Sequence, residues 1–262
     1  MANGTTLARG SKANSRDAIL DAAERLFANS GFDGTSMRSI AEAADVAQAL
    51  LHYHFGTKER LFAEMFTRRS EAINAARIER LDSLFARGMP TLEEVLDTLL
   101  RPLIELGHDE SRGGSYFSRL VVSVAADRDP RSCALIADNY DPLARRFISA
   151  VMHVLPGLNE TDAVRGYLFV IGVGMTIMAP TGRLNRLSGG RCNDADIDSM
   201  VEYAVPFAAA GLRRFSASHS EKRRVMRRLI GETDSEAAAK RHSGSVVKVS
   251  KVSVPPRISP KP

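Results

Sequence analysis

The feature that most narrows what this chain can fold into is a stretch of 24 residues, Thr35 to Lys58, reading TSMRSIAEAADVAQALLHYHFGTK. Thr35 follows Gly34 and can cap a helix with its hydroxyl, after which Met37, Ile40, Ala41 and Ala44 recur at helical spacing and mark one inward face. Asp45 is a short polar residue able to take the left-handed backbone that stops a helix, and Val46 adds an apolar plug behind it. The next helix is therefore expected to start near Ala47. It buries Leu50 or Leu51 together with Phe55 and leaves Gln48, Ala49, His52 and Tyr53 for another face. Thr57 then caps a further helix that opens with Lys58.

Two short helices around a tight joint, with this polarity, read as a helix-turn-helix. The exposed side chains suit duplex DNA. Glutamine can make a bidentate contact to adenine, a small alanine allows approach to a thymine methyl, and Tyr and His donate to phosphate oxygens. The expected contact set is Ser36, Arg38, Gln48, Ala49, His52, Tyr53, His54 and Lys58. Gln48 and Arg38 are assigned to bases. Ser36, His52, Tyr53, His54 and Lys58 are assigned to phosphates, Lys58 at a helix N-terminus already suited to an anion.

From Ile19 through Ala22, Ala23, Leu26, Phe27 and the Gly31-Phe32 pair, on through Thr35-Ser36, Ile40-Ala41, Ala44 and Val46 to the run Leu51-His52-Tyr53-His54-Phe55-Gly56-Thr57-Lys58, the order and spacing are familiar. Residues 15–66 closely resemble the N-terminal domain of the tetracycline-repressor family of bacterial transcriptional regulators. Two positions depart from the family pattern: Asp45 stands where Gly is usual, and His52-Tyr53-His54 where the family has an aromatic-His-aromatic run. The resemblance implies a double-stranded, palindromic operator, a homodimer seam, and a helical C-terminal domain with a pocket for a small-molecule inducer or co-repressor.

Charge is a poor guide by itself. The chain has a formal net charge of +5, but from Ser216 onward there are 11 Lys and Arg against 4 acids. The first 215 residues therefore carry 25 basic and 27 acidic groups, and residues 1–60 hold seven of each sign. DNA affinity must come from placement, with Arg9, Lys12, Arg16, Arg38 and Lys58 as candidates. Two unspaced cysteines, Cys133 and Cys192, fit a reducing cytoplasm and inert packing roles. The longest apolar run, Tyr167 to Ala179, has 13 residues, short of the roughly 20 that cross a bilayer, so no membrane partner is expected.

The periodicity is helical throughout, giving an all-α chain: an N-terminal three-helix DNA-binding domain followed by a larger helical ligand-binding and dimerisation domain. The expected division is a flexible arm at 1–13, the helix-turn-helix domain at 14–60, the helical body at 61–215 and a basic, largely disordered tail at 216–262. Ser15 is expected to cap the first helix. A long helix should run from Lys58 to about Arg87, a capping box at Thr91 and Glu94 should open the next, and Pro102 and Pro142 should kink or interrupt their helices. Residues 180–193 read as a Gly-rich loop, after which Asp194 caps the last helix. That helix and the one from Asn159 to Met178 have apolar faces, with Val201 and Ala208 among the residues expected in a two-fold seam. Within the tail, Glu221 to Ile230 reads as a basic amphipathic helix.

Tyr116, Arg119, Tyr140 and Tyr167 are polar groups beside apolar helical faces and form the expected ligand-binding set, lining a cavity for an apolar or amphipathic molecule. His52 and His54 lie two apart and point away from each other on a helix, with no third ligand nearby, so no metal is expected. Gly172-x-Gly174 lacks a third glycine and a preceding strand, so no dinucleotide or other cofactor is expected either. No nucleophile, base and orienting group cluster, and no enzyme is expected.

Overall fold

The computed structural model describes residues 5–109 and 113–217, with side chains from Ser15 onward. Every regular element among these residues is a helix: α1 (Thr5–Ser30), α2 (Met37–Ala43), α3 (Gln48–Phe55), α4 (Lys58–Ala86), α5 (Leu92–His108), α6 (Gly114–Ala126), α7 (Pro130–Val154), α8 (Glu160–Met178), α9 (Arg183–Ser188) and α10 over residues 197–217. The tail helix expected at Glu221–Ile230 lies outside the described residues.

The caps explain most boundaries. Thr57 accepts from the Arg60 amide to start α4, Thr91 and Glu94 form the expected reciprocal box at α5, Asp129 caps α7 ahead of Pro130, and Asn159 caps α8. Several expectations are corrected. α1 starts at Thr5 rather than Ser15, because the intervening residues include no proline to stop it. α5 and α7 run unbroken through Pro102 and Pro142. Leu99, Leu100, Leu103 and Ile104 around the first proline, and Leu143 and Phe147 after the second, are all buried, and that packing outweighs the lost backbone bond. The Gly-rich loop contains the short helix α9. Asp194 accepts instead from the Gly182 amide, and Asp196 accepts from the Ser199 amide at the start of α10. Cys133 and Cys192 are free and exposed, not packing residues.

α4 belongs to two cores at once. Leu61 and Met65 join Ile19, Leu20, Ala23, Phe27, Ile40, Leu51 and Phe55 in the head, while Leu81 and Leu84 pack in the body with α5, α7, α8 and α10. Gly166 and Gly174 of α8 permit this closeness, since an added Cβ would sit 2.3 Å from Leu212 Cδ2 and 2.4 Å from Leu103 Cδ2 respectively. Leu120 of α6 lies in the head cluster, so body and head share a joint.

At that joint Glu24 of α1 is buried against Arg69 of α4, Nε to Oε2 3.2 Å. Burial pushes the Glu24 carboxyl up to about 7, against the pull of Arg69 and Arg68. The unfolded chain sheds this proton from near pH 4.5 while the folded chain keeps it until about 7, so stability falls as pH rises through that window. The loss is about 3 kcal/mol. Glu24→Gln keeps the shape without the ionisation, and thermal melts should show it gaining on the wild type between pH 5 and pH 8. A gain that shrinks with rising pH would contradict the assignment.

Candidate nucleic-acid interface and body site

The joint between α2 and α3 forms by the chemistry expected of Asp45 and Val46. Asp45 takes φ 53°, the Val46 amide donates to Ala41 O at 3.0 Å, and the Asp45 amide donates to Glu42 O at 3.3 Å. These two bonds close a Schellman turn, with Asp bearing the left-handed backbone that Gly would take without strain. The cap of α2 is Ser36 rather than Thr35: Ser36 accepts from the Ser39 amide and the Ser39 hydroxyl accepts from the Ser36 amide. Thr35 is buried and donates its hydroxyl to Gly31 O at 2.8 Å, closing the end of α1 instead.

α3 buries Leu51 and Phe55 and turns Gln48, Ala49, His52 and Tyr53 outward, Tyr53 being 72% exposed. The Gln48 amide donates to His52 Nε2 at 3.4 Å, and His52 Nδ1 donates to Gly56 O at 3.0 Å. Arg38 is exposed on α2 and paired with Glu42 at 2.9 Å. An exposed i,i+4 pair contributes little, so a phosphate or base can take the guanidinium over. Two expected contacts are corrected. His54 is half-buried and turns its Nε2 inward, buried without a hydrogen-bond partner, so that nitrogen does not reach a phosphate. The Lys58 ammonium donates to Phe32 O at 2.9 Å and Thr35 O at 3.1 Å and lies 4.2 Å from the centre of the Phe32 ring. It fastens the end of α1 to the start of α4 and has little left for a phosphate. Arg16 is engaged likewise, with Glu64 and over the Phe55 ring.

The four ligand candidates separate into two places. Arg119 is exposed, donates to Asn29 Oδ1 of α1 at 3.2 Å, and covers the Tyr116 ring, so this pair belongs to the head–body joint and not to a cavity. Tyr140 and Tyr167 do converge inside the body, around Arg77 of α4, which sequence reasoning missed. Burial raises both phenols, Tyr167 to about 12, against the pull of Arg77. The missed signal was present: Ser70, Asn74 and Arg77 continue the inward stripe of Phe66, Leu81 and Leu84, placing polar groups where the period calls for apolar ones. Tyr167 also borders a void of about 10 Å³ among Leu96, Leu99, Ile148, Val151 and Val170.

Comparison with known proteins places this geometry. Residues 19–65 match the family described as bacterial regulatory proteins, tetR family, and residues 97–211 match the tetracyclin repressor-like C-terminal domain. The chain belongs to the tetracycline-repressor family. Over 58 residues it is 41% identical to the transcriptional repressor AcnR of Corynebacterium efficiens, covering 22% of this chain and 31% of that protein. Over 94 residues it is 32% identical to the repressor KstR2 of Mycolicibacterium smegmatis, covering 36% and 38%. The chain thus spans about a third of the length of these curated relatives. Its fold is shared with the fatty acid degradation regulator FadR of Bacillus halodurans, at TM-score 0.55, 14% identity and coverage of 73% and 94%. It is shared also with AibR, solved with isovaleryl coenzyme A and operator DNA, at TM-score 0.52, 22% identity and coverage of 71% and 96%. The family's members named here are transcriptional regulators, not enzymes.

In this tetracycline-repressor-family chain, α8 and α10 carry an uncovered apolar face. Val164, Leu168, Phe169, Tyr203 and Phe207 are all exposed, and an open groove of about 420 Å³ runs between Phe169, Val173, Phe207, Gly211 and Phe215. Val201 and Ala208, expected in a seam, are buried in the subunit's own core. As a 19-residue helix α8 is long and apolar enough to cross a membrane by length and composition, whereas its longest apolar run is not. Only 28% of that helix window is buried within the single chain.

Proposed function

We propose that this protein is a cytoplasmic, dimeric transcriptional repressor that holds a palindromic operator and leaves it when a small molecule enters the body. The observation that carries the reading is the outward face of α3, where Gln48, Ala49, His52 and Tyr53 stand exposed on a helix whose other face is fixed in the head core. Gln48 and Ala49 meet base edges, with Arg38 entering from α2, while Ser36 and Tyr53 hold phosphates and His52, its Nδ1 proton given to Gly56 O, orients the Gln48 amide. The α8 and α10 face meets the same face of a second copy, and this cover, rather than lipid, removes its apolar side chains from water. The two-fold places two recognition helices about one turn of DNA apart or somewhat more.

Release follows from linkage. A ligand that binds more tightly to a body whose heads are wrongly spaced lowers DNA affinity by the ratio of its two affinities. α4 spans both cores and α6 reaches the head through Leu120, so a shift in the body has a rigid route outward. AibR, solved in complex with isovaleryl coenzyme A and operator DNA, supports such a coupling by analogy. A gel shift with the DNA upstream of the protein's own gene tests the reading. Retardation that survives excess random duplex is expected, and retardation abolished equally by any duplex would overturn it.

A further inference from the structure

Arg77 is only 2% exposed, and its guanidinium stays protonated at any physiological pH. One Nη donates to Asn74 Oδ1 at a long 3.4 Å, and Nε has no partner. The groups that act on it are the phenols of Tyr140 and Tyr167 and the like charge of Arg80, and no carboxylate among the described residues pairs with it. Asp141, which acts on Tyr167, lies on the exposed side of α7 and pairs there with Arg145 at 3.6 Å. A cation buried without a counter-charge is costly, and it persists where something else compensates it.

Among the surrounding groups the hydroxyls are oriented as donors, while Asn74 presents its oxygen. Ser70 Oγ donates to the Tyr140 hydroxyl at 3.2 Å, which leaves the Tyr140 proton to give elsewhere. Asn74 donates its amide to Asn139 O at 2.7 Å, turning its oxygen toward Arg77. Burial holds both phenols neutral, hence as donors. Beyond Tyr167 the environment becomes wholly apolar, at the small void bounded by Leu96, Leu99, Ile148 and Val151.

We infer that the small molecule sensed by the body is an amphipathic acid, its anionic head bound by Arg77 with Tyr140 and Tyr167 donating to it, its apolar remainder separating the side chains around the void. This rests on the ligand-responsive reading above and adds the chemical class of the ligand. Carboxylate and phosphate share the required chemistry, and a guanidinium accepts either.

Thermal melting of the full chain with decanoate, decyl phosphate and decanol, each below its aggregation concentration, tests it. One or both anions should raise the melting temperature by several degrees and the alcohol should not. Arg77→Met should melt at or above the ligand-free wild type, because an unpaired buried charge is replaced by an apolar chain, and should lose the anion shift. Arg77→Lys should keep part of it. Equal response to alcohol and anions, or an anion shift that survives in Arg77→Met, overturns the inference. So does a ligand-free Arg77→Met that melts far below wild type, which would mean the guanidinium is already compensated, by a second copy for instance. Operator retardation by ligand-free protein is measured separately, so failure here leaves the DNA-binding reading standing, and the reverse.

Discussion

Phe207→Asp is expected to turn the proposed dimer into a monomer at micromolar concentration by light scattering, with the fold retained. Phe207 is 70% exposed on α10 beside the groove it shares with Phe169, and Leu168 across that face is 61% exposed. Covering one such phenylalanine contributes about 2 kcal/mol, and a two-fold axis counts it twice, so the loss is about 4 kcal/mol before the cost of burying the new carboxylate. That is roughly a thousandfold in the dimer dissociation constant. Operator affinity should fall steeply with it, since a monomer engages one half-site only. The position matters: a charge at Val201 or Ala208 would enter the subunit's own core and report on folding rather than on the seam. A Phe207→Asp protein that remains dimeric places the seam elsewhere.

Gln48→Ala should weaken the operator by about 1–3 kcal/mol per half-site, hence about 2–6 kcal/mol for a palindrome, and leave random DNA nearly unaffected. The Gln48 amide is exposed, and its hydrogen bond to His52 is a long 3.4 Å, so little inside the protein competes with a base for it. Lys58→Ala is the informative contrast. Its ammonium is committed to Phe32 O and Thr35 O, so the variant should melt earlier by about 1–3 kcal/mol of stability while the salt slope of binding stays close to wild type. Anisotropy titrations of both variants on operator and random duplex across a salt series separate the two roles. Equal losses for Gln48→Ala on both duplexes would remove it from base reading, and a salt slope reduced by about one unit in Lys58→Ala would restore that lysine to the phosphates.

What local chemistry controls could be read from the chain. Asp45 and Val46 end α2 by backbone geometry that acts within six residues, Thr91 and Glu94 close their box within four, and α3 must bury Phe55 with one of Leu50 and Leu51, a choice that packing made for Leu51. The head's fold and the exposed row Gln48, Ala49, His52 and Tyr53 follow from those rules together with the 3.6-residue period. Questions of which partner a polar group finds at long range were decided elsewhere. Lys58 meets carbonyls 26 and 23 residues away, His54 turns inward, and Arg119 faces α1, none of which periodicity distinguishes from solvent exposure. Pro102 and Pro142 carry a local stop signal that buried leucines on both sides override. Val201 and Phe207 lie on one apolar helix, and only the packing of α10 into the body core determines which of them the subunit itself buries. Arg77 shows the division most clearly: its place on the inward stripe was written in the sequence, but the absence of a carboxylate beside it among the described residues depends on how separate helices meet, because burial and pairing are properties of the packed interior and not of any one segment.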